Sequence, residues 1–164
     1  MHEVVGLERI GHVAIVTLNR PEARNALNPE MIVRLAAAWR TVRDDPDIRA
    51  AVVTGVGDKA FCSGADLGRL IPLISRSREP EDDWDRQVVE DREILGTALL
   101  RTFDAVKPVV AAINGHAIAG GMELAQGTDL RVASDAAKLG VQEVKWAIFP
   151  GGGSTVRLPR QLPY

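Results

Sequence analysis

The sequence predicts an α/β protein, on three observations. Short β-branched runs alternate along the chain with segments whose apolar residues recur at helical spacing. Glycine, proline or asparagine marks most of the junctions between them. The 164 residues, 46% of them hydrophobic, suffice for one buried core but not for two ordinary domains. We therefore expect a single α/β domain over residues 1–164, with right-handed crossovers between strands.

The first half of the chain is predicted to form two strands, a helix and a third strand. The three strands are Val4–Leu7, Val13–Leu18 and Ala50–Thr54. Gly11 and His12 separate the first two strands, which predicts a hairpin. Asn28 suits a helix N-cap and Pro29 the first helical position, so an amphipathic helix is expected over residues 28–43.

The second half alternates again between helical and extended segments. Residues 66–71 predict a short helix, and residues 84–104 a longer one with apolar side chains at helical spacing. Between them, residues 76–85 are polar and predict a mobile surface loop whose acids form a solvated face. The remaining predicted elements are a strand at Val109–Ile113, a helix from Gly120-Gly121 to Gly127, a strand at Leu130–Ala133, an extended piece at Ala137–Gly140 and a helix from Ser154.

Composition excludes several classes of function. The net charge of −2, the pI near 5.9 and the aromatic content of 4% argue against a nucleic-acid surface. Cys62 is the only cysteine, which excludes an intrachain disulfide and a multi-cysteine zinc site, and His2, His12 and His116 lack metal-ligand spacing. No apolar run is long enough to span a bilayer and no N-terminal signal is visible. We expect a cytoplasmic protein that binds no nucleic acid, membrane or metal.

The segment from Val109 to Leu124 carries the clearest chemical signal. A buried strand there leads through a turn to Gly120-Gly121 at the start of a helix. Paired glycines at a helix N-terminus leave backbone N–H groups uncovered, and the helix dipole favours an anion beside them. Glu123, in the first turn, is then either a partner of the dipole or a catalytic acid or base. Gly64 offers a second point at which the backbone can closely approach a ligand.

Four sequence blocks occur in an order and at a spacing that together are specific. They are Asn19-Arg20-Pro21 with Arg24-Asn25-Ala26-Leu27, then Ala60 to Leu67, then Ala111 to Leu124, and then Gln142-Glu143 leading to Phe149-Pro150-Gly151-Gly152. In these blocks the chain resembles the enoyl-CoA hydratase/isomerase family, also called the crotonase family. The resemblance implies a ββα superhelical core. It also implies C-terminal helices beyond this core, and these helices are missing from the 164 residues.

The resemblance implies an oxyanion hole and two catalytic glutamates. The backbone N–H groups of Ala65 and Gly120 would hold the thioester carbonyl oxygen of an acyl-CoA as it becomes an enolate. Glu123 and Glu143 match the glutamates of the hydratases, in which one carboxylate activates the water that attacks C3 and the other exchanges the proton at C2. In the family, the position of Glu143 is usually assigned the C2 proton. No metal is implied, and no cofactor beyond the coenzyme A of the substrate.

The resemblance further implies a set of residues along the CoA and acyl path. They are Arg24, Ala26, Leu27, Ser63, Gly64, Asp66, Leu67, Gly121, Pro150 and Gly151. Residues 24–27 would follow the nucleotide and pantetheine, Asp66 and Leu67 would border the thioester, and residues 70–87 would line the acyl end. Cys62 is interpreted as a small buried residue, and His116 as a packed turn residue.

Several functions stay open at this level. The leading prediction is a lyase that adds water to a 2-enoyl-CoA or removes it. The alternatives are a double-bond isomerase, a thioester hydrolase on the same scaffold, or a non-catalytic CoA-binding fragment. Since full-length family members assemble as trimers or dimers of trimers, a homo-oligomer is expected. Ala147 replaces a common glycine and Lys145-Trp146 is bulky, which predicts a reshaped acyl pocket.

Overall fold

A computed structural model describes residues 3–162, so the predictions that involve His2 and Tyr164 lie outside the described residues. The strands in this range are β1 (Val5–Ile10), β2 (Val13–Leu18), β3 (Ala50–Gly55), β4 (Ala60–Cys62), β5 (Val109–Ile113), β6 (His116–Ile118), β7 (Leu130–Ala133) and β8 (Leu139–Gly140). The α-helices are α1 (Pro29–Asp44), α2 (Leu70–Ile74), α3 (Asp83–Glu90), α4 (Ile94–Ala98), α5 (Gly120–Gly127) and α6 (Ser154–Gln161). Two short 3-10 helices cover Pro21–Ala23 and Glu143–Trp146.

The strands form two sheets, one of five strands and one of three. The larger sheet has the order β1-β2-β3-β5-β7, with β1 antiparallel to β2 and the other pairs parallel. The smaller sheet has the order β4-β6-β8 and is parallel. From β3 onward the chain alternates between the sheets, with β3, β5 and β7 in the large sheet and β4, β6 and β8 in the small one. Helices follow the pairs β1–β2, β3–β4 and β5–β6, which gives a repeating ββα unit and confirms the predicted α/β class.

Helix α1 supplies much of the core that packs on the large sheet. Asn28 is its N-cap and accepts a hydrogen bond from the backbone N–H of Met31 at 2.9 Å, and Pro29 is its first residue, as predicted. Ile32, Leu35 and Trp39 are fully buried on one face of α1. The Trp39 indole N–H donates to the carbonyl of Ala98 at 3.0 Å and so joins α1 to α4. The predicted hairpin also forms, with Ile10 opposite Val13.

The prediction of one continuous helix over residues 84–104 is wrong. The structure has two helices there, α3 and α4, and the second ends at Ala98. Asp91 breaks the run, because its carboxylate accepts from the backbone N–H of Glu93 at 2.9 Å and also pairs with Arg40. Leu100 then adopts a left-handed conformation with φ of 51°, which no helix continues through.

The predicted short helix over residues 66–71 begins later than expected. The helix is α2, whose first residue is Leu70. The carboxylate of Asp66 accepts from the backbone N–H groups of Gly68 and Arg69, both at 3.0 Å, and this turn precedes the helix. Strands β4 and β6 have three residues each and were not predicted from the sequence. His116 lies exposed in β6 rather than packed in a turn, so that interpretation is also wrong.

The prediction of a solvated acidic face over residues 76–85 is wrong for Asp85. Its side chain is fully buried and pairs with Arg78 and, at 3.5 Å, with Arg69. The backbone N–H of Glu81 also donates to this carboxylate at 3.0 Å. The Arg78 and Glu81 contacts hold the pKa of Asp85 below its usual range. Asp83, in contrast, is exposed as predicted.

Candidate active site

The N-terminus of α5 lies against the segment that follows β4. Gly64, with φ of +96°, has the backbone conformation that favours glycine. A Cβ added to Gly64 would lie 2.8 Å from the Cβ of Ala119 and 3.2 Å from the backbone N of Gly120. The two segments therefore touch through their backbones, and no larger residue fits at position 64.

Two backbone N–H groups meet at this contact. A Cβ built on Gly120 would lie 3.6 Å from the backbone N of Ala65, so the two donors are close together. Within residues 3–162, neither the N–H of Ala65 nor that of Gly120 has a hydrogen-bond acceptor. Gly120 is the first residue of α5, where intrahelical acceptors do not reach and the dipole adds positive potential. Such a pair of donors can bind one oxygen atom that carries negative charge.

The backbone on both sides of these donors is held in place. Leu27 forms an isolated parallel bridge to Ala65, in which its N–H donates to the Gly64 carbonyl at 2.8 Å and its own carbonyl accepts from the Asp66 N–H at 2.9 Å. This pattern uses neither the N–H nor the carbonyl of Ala65. Ala119 precedes Gly120 with φ of 52° and ψ of −124°, a conformation that costs on the order of 1–3 kcal/mol for a residue with a side chain.

Glu123 is buried in the first turn of α5, behind the Gly120 N–H. The residue is 4% exposed, and its Oε1 accepts a hydrogen bond from the backbone N–H of Ser154 at 3.1 Å. Ser154 is the first residue of α6, so the carboxylate lies at the positive end of that helix dipole. Gly152 packs directly on the carboxylate, since a Cβ there would lie 2.7 Å from Cδ of Glu123.

Glu143 lies at the start of the 3-10 helix Glu143–Trp146 and is also buried. Its Oε2 is buried and has no hydrogen-bond partner within residues 3–162. Burial raises the pKa of Glu143, the charge of nearby Glu123 raises it further, and the backbone N–H groups of Glu143 and Gln142 oppose the rise. The two glutamates therefore differ in surroundings: one is hydrogen-bonded at a helix N-terminus, and the other has an unpartnered oxygen.

Two arginines link the segments that follow Glu143 to residues 100 and 101. The Arg101 guanidinium donates to the Gly151 carbonyl at 2.8 Å, and the Arg157 guanidinium, from α6, donates to the Leu100 carbonyl. A mainly apolar cavity of about 370 Å³ adjoins Ser154. Its lining residues are Val141, Pro150, Ser154, Thr155, Leu158, Pro159 and Leu162. Pro150 therefore borders a cavity next to the hydrogen-bond donor of Glu123.

The other predicted substrate-path residues fall into three groups. Leu27, Gly64 and Gly121 are buried in the backbone contacts of the site, with Gly121 packed against Cys62. Ala26, Ser63 and Asp66 are half-buried. Arg24, Leu67 and Gly151 are exposed. The roles of all these residues in binding stay predictions.

Cys62 is fully buried, and burial raises the pKa of its thiol to about 12. It is therefore an unreactive core side chain at neutral pH, as interpreted from the sequence. Sequence reasoning missed the contribution of Ser154, Gly152 and Ala119 to the site. Only the glycine run before Ser154 indicated part of this arrangement, since it predicts a helix that begins at Ser154. It does not show what the N-terminus of that helix contacts.

Within residues 3–162, no three side chains of His, Cys, Asp or Glu lie together as a metal site. None of the helices in the same range has both the length and the apolarity needed to cross a membrane.

Comparison with known proteins gives consistent results. The family model for enoyl-CoA hydratase/isomerase matches residues 8–164. An enoyl-CoA hydratase of Mycobacterium tuberculosis is 47% identical over 158 residues, which are 96% of this chain and 56% of that protein. The (E)-benzylidenesuccinyl-CoA hydratase of Thauera aromatica is 45% identical over 159 residues, 97% of this chain and 58% of that protein. The crystal structure of carnitinyl-CoA hydratase from Mycobacterium avium superposes with a TM-score of 0.83 at 37% identity, over 99% of this chain and 58% of that one.

The alternation of strands between two sheets, with helices between successive strand pairs, defines a ββα-superhelix protein. The chain belongs to the enoyl-CoA hydratase/isomerase family, also called the crotonase family. It spans between half and two thirds of the length of the relatives it matches.

Proposed function

We propose that the protein adds water to the double bond of a 2-enoyl-CoA thioester, or catalyses the reverse dehydration. The observation that carries the proposal is the joint position of two unpaired backbone donors, Ala65 and Gly120, and two buried carboxylates, Glu123 and Glu143. Hydration of this substrate needs these groups, because negative charge develops on the thioester oxygen while one proton leaves water and another reaches C2.

The difference between the two carboxylates suggests a role for each. Glu123, whose Oε1 accepts from the Ser154 N–H at the N-terminus of α6, accepts a proton from the water whose oxygen bonds to C3. The electron pair of the C2–C3 double bond then moves to give an enolate, whose oxygen the Ala65 and Gly120 N–H groups bind. Glu143, whose raised pKa favours the protonated form, donates its proton to C2 and ends ionised.

The substrate class rests on the relatives. Those named above are described as hydratases of CoA thioesters with different acyl groups, and a crotonyl-CoA hydratase of Syntrophomonas wolfei is 40% identical over 162 residues. The shared part of these substrates is the CoA thioester, so we propose acyl-CoA binding with the acyl group left open. Arg24 is exposed and forms no ion pair within residues 3–162, which leaves its charge free for a CoA phosphate.

Two further features belong to the proposal. A homo-oligomer, as a trimer or a dimer of trimers, is supported by family membership and by the apolar side chains exposed near the second glutamate, among them Trp146 and Phe149. The cytoplasmic location stays an expectation from the sequence.

The test is the loss of the conjugated enoyl-thioester absorbance of a short 2-enoyl-CoA. Glu123→Gln and Glu143→Gln are each expected to lower kcat by about a hundredfold or more, because each removes one proton transfer. Glu90→Gln, an exposed carboxylate on α3, is the matched control and should leave kcat unchanged. Full activity in both site variants would refute the lyase assignment.

A second variant tests the donors separately. Ala65→Pro removes one N–H group that makes no hydrogen bond within the described fold. We expect it to lower kcat by about 10²–10³, the usual effect of losing one oxyanion donor. Unfolding by urea shows whether the variant is folded. A folded variant with unchanged kcat would show that Ala65 does not bind the oxyanion.

A further inference from the structure

Arg20 joins the two backbone segments that meet at the Ala65 donor. Its Nη1 donates to the carbonyl of Ala26 at 2.6 Å and to Oδ2 of Asp66 at 3.2 Å. The side chains of Arg20 and Asp66 are 17% and 18% exposed, so the ion pair is largely shielded from water. Ala26 and Asp66 stand next to Leu27 and Ala65, the two partners of the isolated bridge. One guanidinium therefore holds both sides of that bridge.

Asp66 uses both of its oxygen atoms within the protein. Oδ1 accepts from the backbone N–H groups of Gly68 and Arg69, and Oδ2 accepts from Arg20. Both oxygen atoms are therefore engaged by groups of the protein and are not left open toward the two donors. Its carboxylate instead fixes the turn that begins one residue after Ala65.

Backbone and side-chain contacts together determine the direction of the Ala65 N–H. The Leu27 bridge fixes the peptide groups before and after Ala65, through the Gly64 carbonyl and the Asp66 N–H. The Arg20–Asp66 pair adds a side-chain link to this short bridge, beside the backbone hydrogen bond that the Ser63 N–H donates to the Arg24 carbonyl at 3.1 Å. Oxyanion donors act at 2.7–3.1 Å, and a misplacement of about 1 Å can cost about a hundredfold in rate.

We propose that Arg20 and Asp66 are positioning residues, which hold the Ala65 N–H beside the Gly120 N–H so that both bind the same oxygen. This inference rests on the proposed function, because it assumes that an acyl-thioester oxygen occupies the donors. Arg20 and Asp66 are not expected to touch the substrate or the reacting atoms. They act through the backbone of Ala65 alone.

The experiment uses a 3-oxoacyl-CoA, whose enolate absorbs in the near ultraviolet and forms when two donors stabilise its oxygen. Arg20→Lys keeps the positive charge but cannot hold the Ala26 carbonyl and Asp66 with one planar group. Asp66→Asn keeps an oxygen for the turn but loses the charge that pairs with Arg20. Each variant is expected to lower the bound enolate signal and the kcat of hydration by about tenfold to a hundredfold, with KM within about threefold of wild type.

Arg40→Lys is the control variant. Arg40 forms an ion pair with Asp91 at 3.1 Å, similar in length to the Arg20–Asp66 pair, but on the surface of α1. We expect it to leave the enolate signal and kcat unchanged. If Asp66→Asn does not fold, Arg20→Lys gives the decisive result, since it retains the turn at Asp66.

The outcomes separate the two proposals. A wild-type protein that shows neither enolate signal nor hydration refutes the proposed function, and the inference fails with it. A wild-type signal that is unchanged in folded Arg20→Lys and Asp66→Asn refutes the positioning role only. A rise in KM at constant kcat also refutes it, because that result would make these residues substrate contacts.

Discussion

At the scale of one residue, the buried environment of Glu143 favours the protonated carboxyl group and destabilises the protein when that group is ionised. Its Oε2 is buried from solvent and accepts no hydrogen bond within residues 3–162. These surroundings disfavour the charged form of the carboxyl group. A carboxyl group that keeps its proton near neutral pH can act as a proton donor. The same surroundings make the ionised protein less stable than it would be with a neutral side chain at this position.

The pH dependence of stability follows from the raised pKa of Glu143. The ordinary value is 4.5, and between that value and the raised pKa the folded state binds more protons than the unfolded state. The free energy of unfolding contributed by Glu143 is therefore fully present below pH 4.5 and is lost as the pH rises through the folded pKa.

We expect Glu143→Gln to remove this decrease in the free energy of unfolding with rising pH. Glutamine is neutral at every pH, so the variant should have a higher free energy of unfolding than wild type at pH 7, although it lacks activity. Urea unfolding of both proteins from pH 4 to pH 8 measures the difference, with Glu90→Gln as the exposed control. Parallel pH curves for wild type and Glu143→Gln would contradict the buried, unpartnered environment.

At the scale of elements, the Asp85 cluster joins α2 to α3. We define this cluster as Arg69, Arg78, Glu81, Asp82 and Asp85. Arg69 lies immediately before α2 and contacts Glu81 at 2.8 Å and Asp82 at 3.0 Å, whereas Arg78 contacts Asp85. Asp82 is also the N-cap of α3 and accepts from the Asp85 N–H at 2.8 Å. A segment that composition marks as a loop is thus held by a network around one buried charge.

Asp85→Asn tests whether this network stabilises the fold. Because the change leaves two arginines beside a neutral group, we expect a loss of about 3 kcal/mol in the free energy of unfolding. The neighbouring Asp83→Asn is the control, since Asp83 is exposed and its pair with Arg86 is expected to contribute much less than the contacts of Asp85. Equal losses in the two variants, measured by urea unfolding, would show that the burial of Asp85 contributes nothing.

The same elements show what the sequence can predict. Periodicity found α1 and the strands of the large sheet because each repeats its pattern over several residues, as at Val13–Leu18. Strands β4 and β6 have three residues each, which is too short for a period of two to be recognised. Asp85 has the same local composition as its exposed neighbours, and its burial depends on Arg69, 16 residues earlier.

The candidate site follows the same rule. Gly120 and Glu123 were predictable because a glycine pair and a carboxylate are close together in the chain. The contact between Glu123 and the Ser154 N–H joins residues 31 positions apart, and no local pattern reports it. The buried state of Glu143 likewise depends on packing between segments, which periodicity within one segment does not describe.

At the scale of the whole molecule, several large apolar side chains are exposed between residues 130 and 149. Leu130 and Val132, on one face of β7, are 63% and 68% exposed, and Trp146 and Phe149 are also exposed. Strand β7 pairs with β5 on one side and, within residues 3–162, with no strand on the other. A free sheet edge with exposed apolar side chains favours association with other copies of the chain.

Val132→Lys tests whether β7 takes part in association. The side chain at position 132 is mostly exposed, so the change should alter the free energy of unfolding by less than about 0.5 kcal/mol. A lysine on an edge strand opposes pairing between copies, so we expect the average mass in sedimentation velocity to fall at a given protein concentration. Val89→Lys, at a 52% exposed position on α3, controls for added charge alone. If both variants sediment like wild type, β7 is not a contact between copies, and the proposed oligomer must use another surface.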